Sequence, residues 1–90
     1  MKPSITLYTK AYCPYCKAAK ARLTAKGLAF MNYDITDDPA RRAEMIARAG
    51  GRTTVPQIFI GDLHVGGNSD LVALDNAGRL DPLLRGRAAG

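Results

Sequence analysis

Apolar and polar positions along the chain fall into short blocks of changing period. Residues 4–8 (SITLY) alternate and are β-rich, the period-two pattern of a half-buried strand. A loop carrying Lys10 and Tyr12 leads to Cys13, and Pro14 then suits the first position of a helix, where a missing N–H costs nothing. Ala18, Ala19, Ala21, Arg22 and Leu23 favour that helix, and Gly27 ends it. Residues 29–33 (AFMNY) read as a second strand. Asp37, Asp38 and Pro39 open a second helix with Asp38 as N-cap, which runs through Met45 and Ile46 to Gly50 and Gly51. Residues 57–60 (QIFI) and 63–65 (LHV) are strands separated only by Gly61 and Asp62. Glycine at the first of two turn positions predicts a type II′ hairpin and an antiparallel pair. After Gly66 and Gly67, Asn68, Ser69 and Asp70 start a third helix with Leu71 and Leu74 at helical spacing, and Gly78 stops it. Asp81 and Pro82 open a last short turn through Leu84, and residues 85–90 read as a frayed tail.

The order β-α-β-α-β-β-α predicts an α/β fold. Its strand–helix–strand unit implies a right-handed parallel crossover, and the hairpin adds antiparallel strands. The expected result is one domain over residues 1–90, with a four-stranded mixed sheet flanked by helices.

Composition narrows the class. Of 90 residues, 47% are hydrophobic and 23% charged, which excludes disorder, collagen and coiled coil. Apolar runs reach only four residues (28–31 and 71–74), so no membrane span is expected, and the start lacks the apolar stretch of a secretory signal. A cytoplasmic address is the expectation. The net charge of +5 is uneven: Lys2, Lys10, Lys17, Lys20, Arg22 and Lys26 all precede Asp34, the first acidic residue. Such a field attracts anions, whether an acidic protein face or a small carboxylate. Aromatics are too scattered for a stacking platform, so nucleic acid is not expected.

The two cysteines, Cys13 and Cys16, form Cys-x-x-Cys. A structural disulfide closing so small a loop stabilises by only about 2 kcal/mol in the chain-entropy model. Zinc needs four ligands, and the only other good one is His64, so no metal is expected. A reversible dithiol needs only these two residues. Cys13 falls at the head of the first helix, where free N–H groups and the helix dipole favour a thiolate, with Lys10 and Lys17 near in sequence. Such settings lower a cysteine pKa from about 8.5 into a range of roughly 3.5–7.5. Cys16 lies one turn inside on the same face. The roles that follow are nucleophile for Cys13 and resolving thiol for Cys16.

Two further segments belong with this pair. Pro56 in Thr54-Val55-Pro56 cannot donate to a ladder and belongs at a strand start, with its peptide cis or trans on spacing alone. A cis bond would free the Val55 main chain for an extended ligand. In Gly66–Asp70, glycines allow close backbone approach, the helix start offers N–H groups to a carboxylate, and Asp70 can accept from an ammonium. A plain capped turn is the competing reading. His64, on a short strand, reads as structural.

With Cys13-Pro14-Tyr15-Cys16, Thr54-Val55-Pro56 and Gly66-Gly67 through Asp70 in order, the chain resembles a glutaredoxin of the small bacterial dithiol type, from about Ser4 to Leu84. The resemblance implies a thioredoxin-like fold, a cis Pro56 and glutathione as bound tripeptide and reductant. It implies that Val55 pairs with the glutathione cysteine while Tyr15, Thr54, Pro56 and Gly67 line the groove. Lys10, with Arg52 or Thr53, would meet the glycine carboxylate. The amides of Asn68 and Ser69 would bind the γ-glutamyl carboxylate, and Asp70 its amino group. Many relatives carry cysteine where this chain has Asn68, so a non-active-site thiol is missing. Thr53 stands where some relatives place a basic residue. The implied partners are glutathione and glutathionylated or disulfide-containing proteins, acted on by a monomer. Two rivals share the motif: a thioredoxin-like redoxin recharged by a flavoprotein reductase, and a carrier of a glutathione-ligated iron–sulfur cluster.

Overall fold

The structure, a computed structural model, describes residues 4–84. The expected tail, residues 85–90, lies outside them. Eight elements follow in order: β1 (Ile5–Thr9), α1 (Pro14–Ala25), β2 (Met31–Asp34), α2 (Pro39–Arg48), β3 (Gln57–Ile60), β4 (Leu63–Gly66), α3 (Asn68–Asn76) and α4 (Leu80–Leu84). The sheet order is β2-β1-β3-β4. β1 runs parallel to β2, with Thr6 opposite Met31, and antiparallel to β3, with Leu7 opposite Ile58. This is the thioredoxin-like mixed sheet.

Strand alternation sorts the core into two layers. Ile5 and Leu7 of β1 and Ile58 and Ile60 of β3 face Ala19, Leu23, Leu71, Leu80 and Leu84 from α1, α3 and α4. The intervening Tyr8 and Phe59 face Met45 of α2, with Ile35 and Ala49. Each fully buried aliphatic side chain contributes about 1.5–3 kcal/mol by leaving water. Both faces of the central strands are therefore covered, and chemistry is left to the ends of the strands.

The hairpin forms as predicted. Ile60 pairs with Leu63 across Gly61 (φ 57°) and Asp62. No non-glycine residue described has positive φ, which fits a type II′ turn and not type I′. The second strand differs from expectation: it begins at Met31 instead of residue 29. The cause is how α1 ends. Gly27 (φ 72°) donates to the Thr24 carbonyl at 2.9 Å and Leu28 to the Leu23 carbonyl at 3.0 Å. That closure uses Leu28 to anchor the exit, and Phe30 packs on the same core before pairing starts.

The basic face of α1 is partly neutralised. Arg22 Nη1 lies 2.7 Å and Lys26 Nζ 2.9 Å from the two oxygens of Asp75 on α3. These pairs tie α3 to α1 and so place the start of α3 relative to the start of α1. No helix among the described residues is long and apolar enough to cross a membrane.

Candidate active site

Cys13 is the N-cap of α1, with extended backbone (φ −91°, ψ 118°), and Pro14 occupies the first helical turn. Its carbonyl accepts the first helical bond, from Lys17 N–H at 3.1 Å. Its sulfur fills the place a serine or aspartate oxygen usually takes and accepts the Cys16 N–H at 3.4 Å. An ionised sulfur is the better acceptor, so this geometry favours the thiolate. Burial pushes the Cys13 thiol up, but hydrogen bonds from the Cys16 side chain and the Cys16 and Tyr15 amides, with the Lys10 charge, outweigh it. The net result is a lowered pKa.

Cys16 is fully buried and Cys13 partly exposed; both are free thiols. Burial first, then hydrogen bonding to Cys13 and the Cys13 charge, push Cys16 up to about 11, against the Lys10 backbone and Lys20 charge. The two sulfurs are chemically distinct although three residues apart. Alkylation checks this. With iodoacetamide at pH 7–8, one thiol per chain should react, at Cys13, and its rate should fall in Lys10→Met. Modification of Cys16 first would contradict the assignment.

The loop before Cys13 is held from outside. Cys13 N–H donates to the Lys10 carbonyl at 3.3 Å. Ala11 N–H donates to Thr36 Oγ1 at 3.0 Å, and that hydroxyl donates to Asp34 Oδ1 at 2.6 Å. The strap Asp34–Thr36 was not predicted as part of the site. Its only sequence signal is the Asp-x-Thr spacing of a side-chain-capped turn.

Across from Cys13 stands the Val55 carbonyl, 3.8 Å from Sγ. The Val55–Pro56 peptide is cis. Val55 lies outside the sheet, and its N–H has no main-chain partner among the described residues. A groove opens beside the sulfur, lined by Tyr15, Arg52, Thr54, Val55, Pro56, Gly67, Asn68 and Ser69. Eight of the predicted binding residues thus meet in one concavity, although they come from three separate stretches of chain. Tyr15, in the lining, and Tyr12, next to Cys13 in the chain, are 67% and 70% exposed.

Three predicted residues sit differently. Lys10 is outside the groove lining and acts on the Cys13 charge. Thr53 is exposed and also outside the lining. Asp70 accepts the Gly67 N–H at 2.9 Å, capping α3, and its other neighbour is Arg52 Nη1 at 3.8 Å. Arg52 therefore sits at the Asp70 end of the groove. Gly67 is the N-cap, and the amides of Asn68 and Ser69 open the helix. His64 stacks on Phe59 with ring centroids 4.9 Å apart, a structural placement.

Comparison with known proteins agrees with this geometry. The glutaredoxin family model matches residues 5–65. Glutaredoxin 3 of Escherichia coli K12 is 55% identical over 82 residues, covering 91% of this chain and 98% of that protein. The solution structure of glutaredoxin from Brucella melitensis superposes with a TM-score of 0.79 at 51% identity, over 92% of this chain and 89% of the other. A buckwheat glutaredoxin–glutathione complex superposes with a TM-score of 0.83 at 27% identity, over 97% and 81%. The chain belongs to the glutaredoxin family of thiol–disulfide oxidoreductases.

Proposed function

We propose that the protein reduces glutathione mixed disulfides through Cys13 alone and protein disulfides through Cys13 and Cys16, with glutathione as reductant. The observation that carries this is the groove: an ionisable sulfur at a helix head opens onto the Val55 peptide, whose N–H has no main-chain partner among the described residues, and onto the amides that start a second helix. An extended γ-Glu-Cys-Gly offers what these groups lack. Its cysteine main chain pairs with Val55. Its γ-glutamyl carboxylate meets the Asn68 and Ser69 amides at the α3 N-terminus. Its ammonium meets Asp70, beside Arg52, and its glycine carboxylate, at the other end, meets Lys10. The complexed buckwheat relative supports the same ligand.

In the first reaction, Cys13 thiolate attacks the glutathione sulfur of the mixed disulfide and the protein leaves as thiolate. A second glutathione thiolate then attacks the adduct, releasing oxidised glutathione and restoring Cys13. In the second, Cys13 forms a mixed disulfide with the target. Its negative charge is then gone, and with it both the charge and the hydrogen bond that hold Cys16 up. Cys16 thus becomes easier to ionise only once there is something to resolve. Its attack on the Cys13 sulfur releases the target, and two glutathione molecules reduce the resulting disulfide.

The test is NADPH oxidation coupled through glutathione reductase, with a small glutathione mixed disulfide as substrate. Turnover dependent on both glutathione and the protein is expected. Absence of turnover with glutathione, alongside recharging by a flavoprotein reductase, would replace this reading with the thioredoxin-like one. Every group named belongs to one chain, so the reaction as proposed needs no second subunit.

A further inference from the structure

Behind the groove, on the α2 side of the sheet, Gln57 makes contacts that the sulfur chemistry does not use. Its side chain is fully buried at the first position of β3, immediately after Pro56. A buried amide must have its donors and acceptor satisfied. Gln57 Nε2 donates to the Thr54 carbonyl at 3.0 Å and to Thr54 Oγ1 at 3.1 Å. Gln57 Oε1 lies 2.6 Å from His64 Nε2 on β4.

The chemistry of the groups orients the chain of bonds. A main-chain carbonyl only accepts, so the Gln57 atom facing Thr54 is the NH₂. The oxygen then faces His64, and an oxygen there needs an N–H, so His64 Nε2 carries the proton. Burial and the positive charge of Arg52, opposed by Asp70, hold His64 below its ordinary pKa. At neutral pH it is therefore the neutral Nε2–H tautomer. Stacking on Phe59, with planes 25° apart, fixes the plane of the ring.

We propose that Gln57 and His64 are positioning residues for ligand binding, in which the relay His64 to Gln57 to Thr54 pins the Thr54 main chain and so directs the Val55 peptide at the groove. Thr54 lines the groove, yet its carbonyl is drawn backward into the protein. With that carbonyl fixed, the next peptide has little freedom, and its carbonyl stands beside Cys13 Sγ. Preorganising a binding peptide lowers the ordering cost of docking an extended ligand. The effect falls on affinity and not on thiolate formation, because the α1 amides and Lys10, not this loop, favour the Cys13 thiolate.

The inference rests on the glutathione reading of the groove, and the experiment separates the two. Gln57→Met keeps length and volume but removes both donor and acceptor. It should raise KM for a glutathione mixed disulfide about tenfold, the scale of a buried group left unpaired. The kcat and the pH dependence of Cys13 alkylation should stay at wild-type values. His64→Phe keeps the stack on Phe59 at a partly exposed position and removes only the N–H, so KM should rise about threefold. In the free wild-type protein, ¹⁵N shifts should place the proton of His64 on Nε2, and in Gln57→Met the Val55 amide should show a lower ¹⁵N order parameter. A KM within about twofold of wild type in His64→Phe and in any folded Gln57→Met, or a His64 proton on Nδ1, overturns the proposal. If the wild-type protein turns over no glutathione substrate, the functional reading fails instead. The relay then stands or falls on the His64 proton and on the Val55 ¹⁵N order parameter in His64→Phe.

Discussion

Cys13→Ser removes activity on both substrate classes, whereas Cys16→Ser separates them. A serine hydroxyl at position 13 is not ionised by the fields that act on a thiol, so the loss should be on the order of 10³-fold or more, down to background. In Cys16→Ser the helix-head amides remain, and the first reaction never uses the second sulfur. Turnover of a glutathione mixed disulfide should stay within about threefold of wild type, because thiolate fraction and nucleophilicity compensate when a thiol pKa moves. Reduction of a protein disulfide should fall by about tenfold or more, since the mixed disulfide must wait for glutathione from solution instead of a tethered neighbour. A serine hydroxyl replaces the Cys16 hydrogen bond to Cys13 imperfectly, so part of what lowers Cys13 is lost. The alkylation profile of Cys13 should accordingly shift to higher pH in Cys16→Ser. The linkage sign is set by a depressed acid. Relative to an ordinary thiol, the native state is stabilised above the unfolded pKa of Cys13, and that contribution is lost as pH falls through the lower folded pKa. Both variants are read in the same coupled assay, and equal losses on both substrates would refute the division of roles.

What the chain discloses before folding is what local chemistry decides. Pro14, with a cysteine ahead of it, marks the helix head without any knowledge of the partner strand. Gly27 marks where α1 stops, and Gly61 the turn type. The expected β2 starts two residues early because Phe30 is apolar for packing on the core and not for strand pairing. Period alone does not separate anchoring from pairing. Contacts between distant stretches were invisible. The charge of Arg22 and Lys26 reads as a free anion-attracting field until Asp75, about fifty residues on, is placed against it. Thr36 holds the Cys13 loop across 25 residues of chain. Asp70 is legible both as an anion at the groove's end and as part of a capped turn, and the sequence does not choose, since both roles use the same residue type at the same helix turn.

That double role makes Gly66→Ala the second large expected effect. Gly66 ends β4 with φ 117°, where an L side chain is strained, and this alone costs about 1–3 kcal/mol. A methyl there also collides with Asp70: the new Cβ would stand 2.8 Å from Asp70 Cγ and 3.1 Å from Arg52 Nη1. The carboxylate must swing away. It then releases the Gly67 N–H, a lost cap of about 1 kcal/mol. It also leaves the place where the ammonium of the tripeptide would dock. Gly66→Ala should therefore both lower the melting temperature and raise KM for glutathione substrates, by about tenfold if one charge-assisted hydrogen bond is lost. Gly78→Ala is the control. It also has positive φ (69°), but a Cβ there meets nothing within 4 Å. It carries backbone strain of about 1–2 kcal/mol without collision, and it lies beyond the end of α3, away from the groove. Its melting temperature should fall while KM stays put. If the two variants lost stability alike and neither moved KM, Asp70 would be a cap and nothing more. The ammonium end of the ligand would then have to be held by another group.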